Sequence, residues 1–86
     1  MSPEAIEQAV RRALAAVAPE TDFASLDPER PLREQLDIDS YDFLRLMVQL
    51  SGRLGVEVPE RDYGEVATLR RLVEYLARHL PDARPS

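Results

Sequence analysis

Ser40 stands between two carboxylates, Asp39 immediately before it and Asp42 two positions after, at the front edge of the apolar helical pattern in LDIDSYDFLRLMVQL (residues 36–50). A serine so placed has two readings. It can be a first-turn residue of a helix that Asp39 caps and Asp42 favours through the helix dipole. It can also be a hydroxyl that chemistry uses. Acting as a nucleophile in its own right, it would need a base, and the only imidazole, His79, lies at the far end of the chain, where nothing in the spacing brings it to Ser40. A histidine at the end of the last helical pattern suits the negative pole of that helix, and the chain has no cysteine, so there is neither a metal-ligand set nor a disulfide framework. Paired carboxylates doing acid–base work need a cleft that shifts a pKa. A chain of 86 residues buries only roughly 60–65% of its unfolded surface, which leaves one thin core. There is no glycine-rich phosphate loop. Tyr41, Tyr63 and Tyr75 are scattered, and Tyr75 is expected to pack its ring at the edge of the core. These residue types argue against catalysis and leave Ser40 as the one group of interest. The Asp-Ser pair taken alone favours the plain capping role.

Three long helices and one short one must position this serine. Ser2 is an N-cap candidate, Pro3 fits the first helical position, and Ile6, Val10, Leu14 and Val17 recur at helical spacing until Pro19 stops the run. A long loop, PETDFASLDPERPLREQL, follows; Phe23, Leu26, Leu32 and Leu36 are expected to pin it to the bundle. The second helix runs from Ser40 to about Leu54. Phe43, Met47, Leu50 and Leu54 form its stripe with Leu46 beside it, and Leu44 and Val48 are expected to widen it into a second core-facing side. Gly52 and Gly55 suggest fraying, with Gly55 a C-cap. Pro59 can start a short helical turn through ERDY that Gly64 weakens, and Thr68 caps a last helix bearing Leu69, Leu72, Val73, Leu76 and Leu80, ended by Pro81. No segment alternates with period two for the length of a strand. The expectation is an all-α fold, a small bundle of three main helices plus one short helix, forming a single domain over residues 1–86 with its core at about 3–80 and a frayed tail at 81–86.

The net charge of −5 is concentrated. Residues 34–65 hold eight acids and three arginines, a balance of −5, and the remainder holds eight of each, a balance of zero. Nucleic-acid binding requires the opposite sign. A solvated acidic surface is the plain reading, and attraction of a basic partner is the functional one. All eleven basic residues are arginine. No apolar run approaches membrane-spanning length, and the polar start MSPEAIEQAV is unlike a targeting peptide. A cytoplasmic monomer that binds neither membrane nor nucleic acid is therefore expected.

The order of features from residue 32 onward adds information that no single one carries. Leu36 precedes the serine by four positions. The Asp39-Ser40 pair and the apolar residues Phe43, Leu44, Met47 and Leu50 follow. Next come a Gly-Val-x-Val-Pro link at Gly55, Val56, Val58 and Pro59, then Val66, Thr68 and Leu69 leading into a helix with Tyr75 and Leu76. This succession resembles the acyl carrier protein family, the phosphopantetheine-binding carriers, over roughly residues 5–80. The resemblance implies that Ser40 receives a covalent 4′-phosphopantetheine group from coenzyme A through a separate phosphopantetheinyl transferase. It implies further that the arm's thiol carries an acyl, aminoacyl or other biosynthetic intermediate as a thioester. The chain itself would be a carrier and no enzyme, loaded by an acyl- or aminoacyl-loading ligase and served by downstream acyltransferase or synthase enzymes. A phosphodiester on Ser40 would sit at a helix N-terminus, which favours negative charge. Flanking carboxylates oppose that, so Asp39 and Asp42 are better explained as contacts for the loading enzyme or as metal-facing groups during loading, with no resident metal. Partner docking is expected around Asp39, Tyr41, Asp42, Arg45, Gln49, Glu60 and Asp62.

Three departures from the family pattern bear on partner choice. Tyr41 stands where leucine is usual, either as a simple aromatic replacement or as a ring that touches the arm or a partner. Asp37 stands where glycine is frequent. The exposed face of the second helix reads Asp42, Arg45, Gln49, Arg53 in place of an acidic ladder. A dedicated carrier for a specialised pathway, whether polyketide, nonribosomal peptide, aminoacyl or modified fatty acid, fits this better than a housekeeping fatty acid carrier. The near-complete coverage by one domain, the Met1 start and the cap at Ser2 favour a free-standing chain over a domain excised from a longer one. The rival is a carrier-like binding or adaptor module that is not modified on Ser40.

Overall fold

The first helix, α1 (Pro3–Val17), begins where Ser2 Oγ accepts a hydrogen bond from the Ala5 N–H at 3.2 Å, with Pro3 in the first turn. Ala18 N–H closes it on the Leu14 carbonyl at 2.6 Å, one residue before Pro19, whose ring cannot continue a helix. Its Ile6, Val10, Ala13 and Leu14 are buried. The structure, a computed structural model, describes residues 2–80. The expected stop at Pro81 and tail at 81–86 lie outside the described residues.

The connection after α1 is more ordered than its composition suggests. Asp22 caps a 3-10 turn at Phe23–Ser25, and a five-residue helix, α2 (Leu32–Leu36), forms where only loop was expected. Three kinds of bond fix this segment. The Gln35 amide accepts from Asp27 N–H at 2.7 Å and donates to the carbonyls of Asp27 and Arg30 at 2.8 and 3.0 Å. Leu32 N–H donates to the Ala67 carbonyl at 2.7 Å and Arg70 N–H to the Pro28 carbonyl at 3.1 Å, so Pro31 and Thr68 form an isolated antiparallel bridge. The Arg70 guanidinium pairs with Glu29. Leu32 is fully buried, and Phe23, Leu26 and Leu36 pack half-buried against the core, as their apolar character required.

The second long helix is α3 (Ser40–Leu54), and the last is α4 (Leu69–His79), with a 3-10 helix at Glu60–Val66 between them. Helix α1 packs on α3 and α4, and the 3-10 helix packs on α4. Helix α4 is capped as its sequence indicates, with Thr68 Oγ accepting from Arg71 N–H at 3.2 Å. The core joins Leu46 and Leu50 of α3 to Leu72 and Leu76 of α4 and to the α1 stripe, with Val56, Val58 and Val66 sealing it from the connections. No charged or polar side chain is buried among the described residues. They contain no strand, in agreement with an all-α carrier-like bundle.

Several local expectations change. Gly64 does not weaken the short helix, which runs through it from Glu60 to Val66 because Val66 is fully buried and Tyr63 sets its ring edge-on to Phe43 at 5.2 Å. Gly52 does not fray α3. The helix stays regular to Leu54, and Gly55 ends it in the left-handed conformation at φ 73°, where glycine has no Cβ to obstruct the turn. The largest correction concerns Leu44 and Val48. They do not face core; they are 44% and 61% exposed. Helix α3 packs through the stripe of Phe43, Leu46, Met47, Leu50 and Leu54, and Leu44 and Val48 lie beyond its reach.

Candidate functional site

Ser40 is the first residue of α3 and is exposed. Its position is set from both sides. Asp39, the N-cap, has extended backbone, and its Oδ1 accepts the Asp42 N–H at 2.9 Å while its carbonyl accepts the Phe43 N–H at 3.0 Å. Ile38 and Phe43 occupy the positions before the cap and in the second turn where apolar residues fix the angle at which a chain enters a helix. Phe43 is buried and Ile38 packs against the core. The serine is thus held on a braced corner while its hydroxyl faces solvent. The N–H groups of Ser40 and Tyr41 belong to the first turn, where no intrahelical carbonyl is available to them. An anion attached at Ser40 therefore meets free donors and the positive pole of a 15-residue helix, and the residues present fit a phosphodiester.

Asp37 explains one departure noted in the sequence. It closes α2 at φ 54°, ψ 45°, the left-handed region that glycine adopts freely and aspartate tolerates better than most residues. Asp37 and Asp39 are exposed beside the serine. Asp42 is half-buried and paired with Arg45, Nη1 to Oδ1 at 3.4 Å, so its charge is partly offset.

The other residues expected to meet partners divide. Tyr41 is 67% exposed, which removes it from any core role. Arg45 is exposed and Gln49 half-buried on the same helix, and Glu60 is exposed at the start of the 3-10 helix. Asp62 is different: it is half-buried, and its Oδ2 accepts the Tyr75 hydroxyl at 2.7 Å. Tyr75 is buried as expected, and its polar tip required a partner. The Asp62 hydrogen bond, followed by burial and the nearby carboxylate charge, raises the Tyr75 pKa above its ordinary value. Burial, then Glu60, raises that of Tyr63. His79 stacks on Tyr75 with ring centres 4.0 Å apart, and its Nδ1 lies 2.9 Å from the Tyr75 carbonyl oxygen, which can only accept, so that nitrogen carries the proton. This agrees with a structural role for His79. No cluster of three metal-ligating side chains occurs among the described residues.

Two hollows adjoin α3. A cleft of about 220 Å³ lies against Phe43, Tyr63, Pro31, Arg33, Gly64 and Ala67. A wider groove of about 430 Å³ runs between Leu44, Met47 and Val48 on one side and Val58, Pro59 and Tyr63 on the other. A further hollow, about 540 Å³, lies between the end of α1 and the following loop and includes no residue of α3. None brings a base to Ser40, and no helix among the described residues is long and apolar enough to cross a membrane.

The comparisons with known proteins agree with this arrangement. The family model described as "Phosphopantetheine attachment site" matches residues 4–76. An acyl carrier protein of Rubrobacter xylanophilus is 31% identical over 58 residues, covering 67% of this chain and 72% of the relative. An acyl carrier protein of Lactobacillus johnsonii is 36% identical over 47 residues, 55% of this chain and 59% of the relative. A meromycolate extension acyl carrier protein of Mycobacterium tuberculosis is 29% identical over 55 residues, 64% of this chain, which spans about half (48%) of that longer protein. A capped serine facing solvent on a small all-α bundle, together with a family match over nearly the whole described chain, makes this protein a member of the acyl carrier protein family, a phosphopantetheine carrier and not an enzyme.

Proposed function

We propose that Ser40 is the attachment residue and that the chain is a single carrier domain presenting a biosynthetic intermediate to enzymes of a specialised pathway. The observation that carries the assignment is the exposed Ser40 at the first turn of α3, with its cap already satisfied by Asp39, so that the hydroxyl is free of structural duty. When bound, phosphopantetheine supplies a thiol on a flexible arm, which holds cargo as a thioester. The chain's own residues do the rest. Asp39, Ile38 and Phe43 hold the corner rigid, and the first-turn N–H groups favour the negative charge introduced there. The tether turns delivery to a docked enzyme into an effectively intramolecular event. With no cysteine in the chain, the arm is the sole source of a thiol, so cargo has one place to go.

The specialised pathway is supported by α3, which shows one acid, Asp42, where it shows two arginines, Arg45 and Arg53, along its polar stripe. Loading by a phosphopantetheinyl transferase, then by an acyl- or aminoacyl-loading ligase, places the chain among soluble biosynthetic enzymes of the cytoplasm. The test is intact mass after incubation with coenzyme A and a broad-specificity transferase. The native chain should gain one phosphopantetheinyl group and Ser40→Ala none. A native chain that stays unmodified with several transferases leaves an adaptor module instead. Cargo follows from the acyl or aminoacyl mass on protein recovered from its host.

A further inference from the structure

A phosphodiester on Ser40 would join two exposed acids, Asp37 and Asp39, and a third, Asp42, whose charge Arg45 partly offsets. The free N–H groups at the head of α3 favour such an anion, but they carry only partial charges, and the Asp42 N–H is already committed to the cap. A full positive charge within reach would change that balance. Three arginines lie nearest to Ser40 in the chain. Two are taken: Arg30 pairs with Glu34 at 3.9 Å and Arg45 with Asp42 at 3.4 Å. The third, Arg33, is exposed and enters no ion pair among the described residues.

The cleft of about 220 Å³ connects Arg33 to the serine, because Arg33 and Phe43 line it together. Phe43 follows Ser40 by three positions on α3, so the two share one helical face with their Cβ atoms about 5–6 Å apart. Ser40 thus stands at the end of one wall of the cleft, and Arg33 reaches the same hollow from α2. No carboxylate lines this cleft, so nothing in it competes for the guanidinium. The wider groove on α3 differs on both counts: it begins farther from Ser40, at Leu44, and its Arg61 shares it with Glu57. The backbone that carries Arg33 is fixed. Leu32 before it is fully buried and donates to the Ala67 carbonyl at 2.7 Å, and Gln35 after it makes three hydrogen bonds to the preceding loop. An arginine on a braced five-residue helix, facing an acid-free hollow, is a placement with no duty in the bare chain.

We propose, building on the carrier reading of Ser40, that Arg33 holds the phosphodiester once it is installed. Its guanidinium donates to the two non-bridging phosphate oxygens, the planar fork that arginine offers to phosphate. The root of the arm is thereby turned toward α2, and the charge of Asp37 and Asp39 is countered at the same point. Arg33 is a positioning residue for the arm. Its competing fate is an ion pair with Asp37, four residues on.

The test compares apo and holo forms of the full chain. Native, Arg33→Gln and Arg33→Lys chains are loaded to completion with coenzyme A and a broad-specificity transferase, with intact mass confirming conversion. Thermal unfolding is then read for every form. The change in Tm from apo to holo should be about 2–4 °C less favourable in Arg33→Gln than in the native chain, the effect of one exposed ion pair in a domain of this size. Arg33→Lys keeps the charge and loses the fork, so it should fall between them. In about 1 M salt, where the screening length is ~3 Å, the three should converge. Phosphorus-31 spectra give a readout that a structural role would not move: in low salt the phosphodiester resonance of holo Arg33→Gln should differ from that of the native holo chain. Equal apo-to-holo changes in the native chain and Arg33→Gln overturn the proposal, as does an unchanged phosphorus resonance. If Arg33→Gln lowers the Tm of apo and holo forms alike, Arg33 serves Asp37 and not the phosphate, and the proposal fails. If Arg33→Gln resists loading, the same comparison is made between the native chain and Arg33→Lys. Failure of the native chain to take up the arm is a separate result and refutes the carrier reading itself.

Discussion

Asp39 has two duties that ordinary deletion would confuse, and replacing it in two ways separates them. Its Oδ1 accepts the Asp42 N–H at 2.9 Å, and its negative charge sits at the positive pole of α3. Removing an N-cap side chain costs about 0.5–2 kcal/mol. The bond here is exposed to water, so about 1 kcal/mol is the expectation for Asp39→Ala. In a domain of this size that lowers Tm by about 4–8 °C. Asp39→Asn keeps an accepting oxygen at the cap and loses only the charge. The charge–dipole gain of about 0.3–1 kcal/mol is offset by the repulsion that Asp37 and Asp42 exert, so Asp39→Asn should stay within about 0.5 kcal/mol of the native chain. Thermal unfolding followed by far-UV circular dichroism, in low salt and in about 1 M salt where the screening length falls to ~3 Å, resolves the two terms. In high salt Asp39→Asn should coincide with the native chain, and Asp39→Ala should remain displaced. Loading by the transferase is the second readout: if Asp39 is a transferase contact, as expected from the sequence, Asp39→Asn should slow it while leaving stability alone. Equal destabilisation by Asn and Ala would refute the capping argument, and so would an Asp39→Ala variant as stable as the native chain.

Two further predictions concern groups the fold holds in unusual circumstances. Asp37 is left-handed at φ 54°, so Asp37→Gly should unfold at the same temperature or slightly higher, whereas the β-branched Asp37→Val should lose about 1–2 kcal/mol in urea titration. Tyr75 has its pKa raised first by the hydrogen bond to Asp62, then by burial. A group whose folded pKa exceeds its unfolded value of about 10 adds stability that is complete below that pH and is lost as pH rises through the folded pKa. Urea midpoints of the native chain should therefore be level from neutral pH to about 9 and fall in the alkaline range above 10. Tyr75→Phe should be about 1–2 kcal/mol less stable at neutral pH, because the half-buried Asp62 carboxylate is left without its donor, and should show a shallower alkaline decline, the remainder coming from Tyr63, whose pKa is also raised. A Tyr75→Phe profile parallel to the native one at high pH would show that the decline has another origin.

The local signals in this chain were complete in themselves. Ser2, Asp39 and Thr68 cap their helices through side-chain bonds to an N–H three residues on, Gly55 ends α3 by its own backbone freedom, and Pro19 follows the end of α1 for want of an N–H. Each of these depends on residues within one turn, so the sequence by itself determined the three long helices and the place of Ser40 at the head of α3. What needed the tertiary structure was every question that involves a distant neighbour. Helix α2 consists of good helix formers but is only five residues long, too short to hold by itself, and it forms because Leu32 and the Pro31–Thr68 bridge tie it to the start of α4, a contact between residues more than thirty apart. Asp62 was named in the sequence only as a partner-docking residue, and the hydrogen bond it accepts from Tyr75, thirteen residues on, exists only in the fold. Leu44 and Val48 obey the same apolar spacing as their buried neighbours, and periodicity alone cannot say how many partners a helix has. Apolar spacing specifies which residues can be buried together, and only the placement of α1 and α4 decides which of them are, leaving a ridge of Tyr41, Leu44 and Val48 in water beside the serine.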